Sequence, residues 1–260
     1  MLQTVLYDGS FEGWLCAVFD VFDYKFEAVD LCRRDRFQGT IFGAVHEARF
    51  LEAHAQRVWR GLQRKLSAEG LQAVSQCFLA DEAGIANTLL RYVSYVFASE
   101  GSVEQDFSHP DVLAVSQVAR KVWKEQHRME AFVRFQKTAD GLYYALIEPD
   151  HDVLPLIAKH FTTRYADQRW LIYDGRRRYG IHYDGARTHA VEIQFSEAAA
   201  GGREVAAVYD PEEAFYQQLW RQYFKSVNIA ARKNTRLQVQ HMPRRYWKYL
   251  VEKQPGSTRY

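Results

Sequence analysis

The spacing of apolar residues changes period near residue 130, and that change limits the fold more than any other feature of the chain. Before it, Phe11, Trp14, Leu15, Val18, Phe19 and Phe22 fall at i, i+3, i+4, i+7, i+8 and i+11, one face of an amphipathic helix, with Ser10 as a candidate N-cap. The same period returns at Ala55–Leu66, Leu71–Phe78, Ile85–Phe97 and, after Ser108-His109-Pro110, at Val112, Val115, Ala119 and Val122. Residues 2–7 read as a short strand. Residues 26–52 are less periodic, with Thr40–Phe42 and Ala48–Leu51 as candidate extended pieces. Beyond residue 130 the apolar residues alternate or run together, and Asp-Gly pairs at 140–141, 174–175 and 184–185 supply turn chemistry.

These patterns predict an α+β protein. The N-terminal half is mainly helical. A central antiparallel sheet is covered on one face and built from 131–136, 142–147, 170–173, 179–183 and 190–195, with a helix inserted after its second strand. Pro149-Asp150-His151-Asp152 ends that strand and can cap the inserted helix. A C-terminal segment returns to helical spacing at Phe215, Leu219, Trp220 and Tyr223, and Pro243 opens a last helix with Trp247, Leu250 and Val251. The expected division is 1–128 (mainly helical), 129–203 (antiparallel α+β) and 204–260 (basic helical), compatible with one compact domain. Neither a repeat nor a low-complexity stretch interrupts it.

Charge is unevenly placed. The chain totals +2, but residues 221–260 carry ten Lys and Arg against Glu252 alone, a net of +9, which leaves −7 on residues 1–220. Such an asymmetry points to a polyanion contact at the C-terminal end. There Arg232, Lys233, Asn234 and Arg236, then Arg244, Arg245, Tyr246 and Lys248, interleave cations with hydrogen-bonding and aromatic side chains. Phosphates call for Lys and Arg, and flat rings such as Tyr246 or Trp247 suit unstacked bases. A packed Trp247 beside merely solvated arginines is the alternative.

A second constellation gathers His127, Arg128, Arg134, Asp150, His151 and His160 near strand and helix edges. An Asp beside a His can orient an imidazole for acid–base work. The spacing lacks the pairs that fix two metal ligands on one element, so no metal is expected. Cys16, Cys32 and Cys77 lie too far apart for an iron–sulfur loop, so no cofactor is expected. Phosphate-binding loops, dinucleotide fingerprints, nucleophile elbows and zinc-protease motifs are all missing. The start of the chain does not read as a signal peptide. No apolar run reaches the ~18–20 residues of a membrane span, and a cytoplasmic protein is expected.

Four stretches resemble a bacterial family described as probable DNA metabolism proteins. They are Tyr7-Asp-Gly-Ser-Phe-Glu-Gly13; Val122-Trp-Lys-Glu-Gln-His-Arg-Met129 with Phe132-Val-Arg-Phe135; Glu148-Pro-Asp-His151 running to His160-Phe161 and Trp170-Leu-Ile; and Leu219-Trp-Arg-Gln-Tyr-Phe224 through Arg232-Lys-Asn234 to Met242-Pro-Arg-Arg-Tyr-Trp247. The resemblance implies a DNA-binding accessory role in repair or modification. The implied partners are DNA, a radical-SAM protein and a uracil-DNA glycosylase-like protein. It supplies no catalytic residues. A nucleic-acid-processing enzyme with a His/Asp/Arg pocket and a protein-interaction scaffold remain the alternatives, and convergence of the six side chains in one cleft separates the enzyme from the binder.

Overall fold

In the first of two compact units, Met1–Trp123, the chain forms a small sheet wrapped by helices. The computed structural model describes residues 2–39, 43–192, 216–220, 222 and 239–253. Strand β1 (Gln3–Tyr7) leads into α1 (Phe11–Asp23) through Asp8-Gly9-Ser10. The Ser10 hydroxyl accepts the Gly13 N–H at 2.9 Å, while the Asp8 carboxylate accepts both the N–H and the hydroxyl of Ser10. A Cβ at position 13 would meet that carboxylate at 2.0 Å, so any larger residue must push Asp8 off the cap. β2 (Val29–Arg33) and β3 (Ala44–Glu47) then pair with β1 on either side, both parallel to it, in the order β2-β1-β3.

Helices α2 (Glu52–Lys65), α3 (Ala68–Phe78), α4 (Ile85–Ala98) and α5 (Pro110–Phe132) follow. Each fulfils its apolar stripe. Val58, Leu62, Val74, Leu89, Val93 and Val122 are buried along with Val5 and Val18. Trp14 is fully buried, donates Nε1–H to the Ala86 carbonyl at 3.2 Å, and packs against Phe11 and Phe78. Cys16, Cys32 and Cys77 sit on α1, β2 and α3, and burial pushes the Cys77 thiol up to about 12. Helix α5 ends in the second unit.

That unit, Lys124–Tyr260, holds a five-stranded sheet in sequence order: β4 (Gln136–Lys137), β5 (Tyr143–Ile147), β6 (Trp170–Asp174), β7 (Tyr179–Tyr183) and β8 (Thr188–Val191). Helix α6 (Leu154–Arg164) lies between β5 and β6 and packs on β7. The core gathers Ala145, Ile147, Ile157, Ile172 and Ile181 with an aromatic group of Phe135, Phe161, Tyr165, Trp170 and Tyr183.

The protein is α+β as the patterns predict, with several corrections. The helical half contains a parallel sheet, whose two outer strands are short and carry no clean alternation. Ala48–Leu51 is irregular, the strand falling just before it, and Thr40–Phe42 lie outside the described residues. The central sheet is mixed, not antiparallel: β5 and β6 run parallel, because the intervening helix carries the chain back to the edge where β5 began. Central β6 is buried along both faces, so the sheet is covered on more than one. The strand expected at 131–136 shrinks to Gln136–Lys137, since α5 continues to Phe132. The strand expected at 190–195 is Thr188–Val191, and 193–195 lie outside the described residues. No side chain caps α6, whose N-cap position is Val153.

The last expected helix is replaced by two 3-10 turns, Arg244–Tyr249 and Val251–Lys253. Hydrogen bonds three residues apart, such as Tyr246 to Pro243 and Leu250 to Trp247, bring Tyr246, Leu250 and Val251 inward together. Tyr216–Trp220 are helical as expected, while Phe215 and Tyr223 lie outside the described residues. Among the described residues no helix is long and apolar enough to cross a membrane.

Candidate functional site

A buried acid organises one end of the second unit. Glu125 lies on the same face of α5 as Val122 and Met129, and it is only 2% exposed. Closing off a carboxylate in this way is costly unless its oxygens are matched by donors. Four donors approach it. Its Oε1 accepts the Asp150 N–H at 3.0 Å, and its Oε2 accepts Arg245 Nη2 at 2.6 Å and the Tyr246 hydroxyl at 2.5 Å. Arg128, one turn along the helix, comes within 3.9 Å. The bonds from Arg245 and Tyr246 fix the 3-10 turn against the helix, and the bond from Asp150 fixes the loop after β5.

Titration follows from these contacts. Burial raises the Tyr246 hydroxyl far above its ordinary value, and the Glu125 carboxylate beside it adds to the shift. Partial burial works against the Arg245 charge, but Glu125, Tyr246 and Asp150 outweigh it and hold the guanidinium above its usual range. That guanidinium lies 4.6 Å from the Tyr246 ring centroid.

Buried Asp174 places the remaining cations. At the end of β6 its Oδ1 accepts the N–H groups of Arg176 and Arg177 at 2.8 and 3.1 Å, the turn-forming habit of Asp. The Arg178 N–H bonds the Asp174 carbonyl at 2.8 Å, with Arg178 itself in the left-handed region at φ 61°. Arg177 turns inward to Asp174 Oδ2 at 3.0 Å and to the carbonyls of Pro149 and Asp150 at 3.2 and 2.9 Å. Arg176 turns outward to Asp150 Oδ1 at 3.3 Å, and Asp150 Oδ2 reaches Arg245 Nη1 at 2.8 Å. Lys248 pairs with Glu148. Their hydrogen bond lowers the Glu148 carboxyl and raises the Lys248 ammonium.

The result is an open cavity of ≈ 600 Å³ lined by Glu148, Asp150, Arg176, Arg244, Arg245 and Lys248. Four cations face two carboxylates across it. Arg244 has no acid partner among the described residues; its guanidinium lies 5.7 Å from the Trp247 ring centroid.

Of the basic residues singled out in the sequence, Arg244, Arg245 and Lys248 meet here, while Arg232, Lys233, Asn234 and Arg236 lie outside the described residues. Tyr246 is buried with its hydroxyl engaged, so it anchors the turn and offers no face to a base. Of the six residues considered for a pocket, only Asp150 lines the cavity. Arg128 approaches Glu125 from the helix. Arg134 binds the Ala131 carbonyl at 2.8 Å and nearly buried Glu252 at 3.2 Å, and it covers the Trp220 ring. His127 is 73% exposed, and its Nδ1 lies 3.9 Å from Glu130. His151 is half-buried beside Asp152, which accepts the Tyr179 hydroxyl at 2.5 Å. His160 is half-buried with its ring against Phe161. Glu125, Glu148 and Arg176 are the members that sequence reasoning missed. An acid on an apolar stripe marks Glu125, and an arginine run directly after a turn pair marks Arg176.

An α+β chain with an acid-anchored, cation-lined groove is thus the class that fold and site define. The chain belongs to the family described as a domain of unknown function, DUF4130, which matches residues 83–252. No curated protein matches the sequence. Among solved structures the chain is similar to one titled a pGpG-specific phosphodiesterase, PggH, from Vibrio cholerae. The identity is 11%, the TM-score is 0.35, and the match covers 70% of this chain and 81% of that one. A likeness at that level carries no argument about fold or chemistry.

Proposed function

We propose that the groove binds the phosphate backbone of DNA, and that the protein is a DNA-binding accessory factor in DNA repair or modification. The supporting observation is the convergence of Arg176, Arg244, Arg245 and Lys248 on one open cavity. Arginine forks match phosphate oxygens two at a time, and the strongly basic segment 221–260 supplies three of these four side chains. The proposed partners, a radical-SAM protein or a uracil-DNA glycosylase-like protein, rest on the motif resemblance. A binding role suits the dispersal of the histidines better than a catalytic one, since His127 and His160 do not line the cavity with Asp150.

Anisotropy of a labelled duplex across a potassium chloride series tests the reading. Log affinity falls with log salt by about 0.9 per neutralised phosphate on duplex DNA. Arg176→Ala with Arg244→Ala should weaken binding alike on all sequences and flatten that slope by about 2. These two side chains are chosen because neither touches Glu125. A folded double variant with unchanged affinity and slope overturns the assignment.

A further inference from the structure

The groove already contains anions of its own. Asp150 engages Arg176 with one oxygen and Arg245 with the other, and Glu148 engages Lys248. These acids differ from the one beneath them. The side chains of Asp150 and Glu148 are 44% and 40% exposed and stand at the mouth, whereas Glu125 is closed off and holds Arg245 from below. Arg245 therefore has an inner partner that is fixed and an outer partner within reach of solvent.

The backbone under the outer acids is fixed as well. Arg177 holds the carbonyls of Pro149 and Asp150, and Glu125 holds the Asp150 N–H. With that backbone pinned from two sides, Asp150 can leave its cations by a side-chain rotation alone, with no loop movement. Exposed ion pairs of this kind are worth little in water, so leaving is cheap. Removing Asp150 does not release Arg245, which stays aimed by Glu125.

We propose that Glu148 and Asp150 are built-in competitors that fill the groove's phosphate positions until a phosphodiester strand displaces them. A carboxylate and a phosphodiester each carry two charged oxygens, so a phosphodiester can bridge Arg176 and Arg245 as Asp150 does, without rebuilding the site. The inference rests on the DNA reading above and narrows its ligand. An isolated phosphate is one anion facing two carboxylate positions, one on Arg176 and Arg245 and the other on Lys248. A strand offers several linked phosphates and displaces both in a single binding event. The groove thus selects polymeric phosphodiesters over single nucleotides and inorganic phosphate.

The test is the isosteric pair Glu148→Gln and Asp150→Asn, measured beside the native protein on a labelled 20-base-pair duplex and on inorganic phosphate as competitor. Removing both charges should tighten duplex binding about tenfold or more. It should also let inorganic phosphate compete at lower concentration than it does against the native protein. Tighter duplex binding in the variant sustains the proposal, including the case in which the native protein binds too weakly to measure. Unchanged or weaker duplex binding overturns it. If the Arg176→Ala, Arg244→Ala protein has meanwhile lost affinity, the DNA reading survives that loss. If neither the native nor the acid-neutralised protein binds duplex, both fall. Should the double variant fail to fold, Glu148→Gln alone, at a pair open to solvent on both sides, gives the same readout with about a threefold effect.

Discussion

Trp14 in the first unit and Glu125 in the second are both closed off from water, and opposite forces hold them. Trp14 joins α1 to α3 and α4 by area: its indole packs on Phe11 and Phe78 and spends its one polar atom on the Ala86 carbonyl. Glu125 joins α5 to the loop after β5 and to the 3-10 turn Arg244–Tyr249 by charge, with donors on both oxygens. An apolar centre stabilises in proportion to the surface it removes from water. A buried carboxylate adds little net stability against the cost of desolvation, but it fixes where its partners point. Apolar packing thus suffices for the first unit's core. The groove needs a buried charge, because only a charge aims Arg245.

The largest effect expected of that contrast is on stability. Trp14→Ala should cost about 3–5 kcal/mol, from lost transfer energy and the cavity left behind. Glu125→Ala should cost less, about 2–3 kcal/mol, because Arg245 keeps Asp150 and part of its contact with water while the Tyr246 hydroxyl loses its acceptor. Urea unfolding followed by circular dichroism measures both. A larger loss at Glu125 than at Trp14 would reverse the comparison.

Much of the first unit's framework is legible in its sequence, because helix stripes depend on local spacing and Ser10 and Pro110 mark helix starts. Strands β2 and β3 escape such reading. Each is short, at the sheet edge and mixed in exposure, so neither period nor composition separates them from loop. In the second unit the Asp-Gly pairs locate the hairpins. Strand direction depends instead on the α6 crossover, and the insertion of a helix between two strands already implies the parallel pair. The tail is least legible. A spacing that suits an α-helix at Trp247, Leu250 and Val251 is overridden by Tyr246, which turns in to reach Glu125. The site divides in the same way: its C-terminal cations stand out by charge density, whereas Glu125 is betrayed only by occupying an apolar position between Val122 and Met129. Nothing local announces that Asp174 is buried, since its role is to satisfy backbone groups of a turn that exists only in the fold.

A smaller effect sharpens the comparison at the groove's rim. The hydrogen bond from Lys248 holds the Glu148 carboxyl below its ordinary value of 4.5. A depressed folded value means that the pair contributes above about pH 4.5 and that its contribution is lost as pH falls through the folded value. Both side chains are largely in water, so the effect should stay under about 0.5 kcal/mol. Comparing the acid limb of unfolding for the native protein and Glu148→Gln reads it directly, and identical limbs would place the pH dependence elsewhere.

The parallel pairing of β5 with β6 also sets a timetable for assembly. β4 meets β5 across a five-residue turn, and β6, β7 and β8 follow one another through tight reversals, so both pieces can form from near neighbours. β5 and β6 are separated by residues 148–169, and their ladder can close only after that length of chain has been gathered. The expected order is two local pieces first and their joining afterwards, with joining as the slow event. Pulse-labelled hydrogen exchange during refolding should therefore protect amides shared by β7 and β8 before those shared by β5 and β6, and simultaneous protection would remove the delay. The groove inherits that lateness: Glu148 and Asp150 leave the end of β5, Asp174 and Arg176 leave the end of β6, and they become neighbours only when the last seam of the sheet is made.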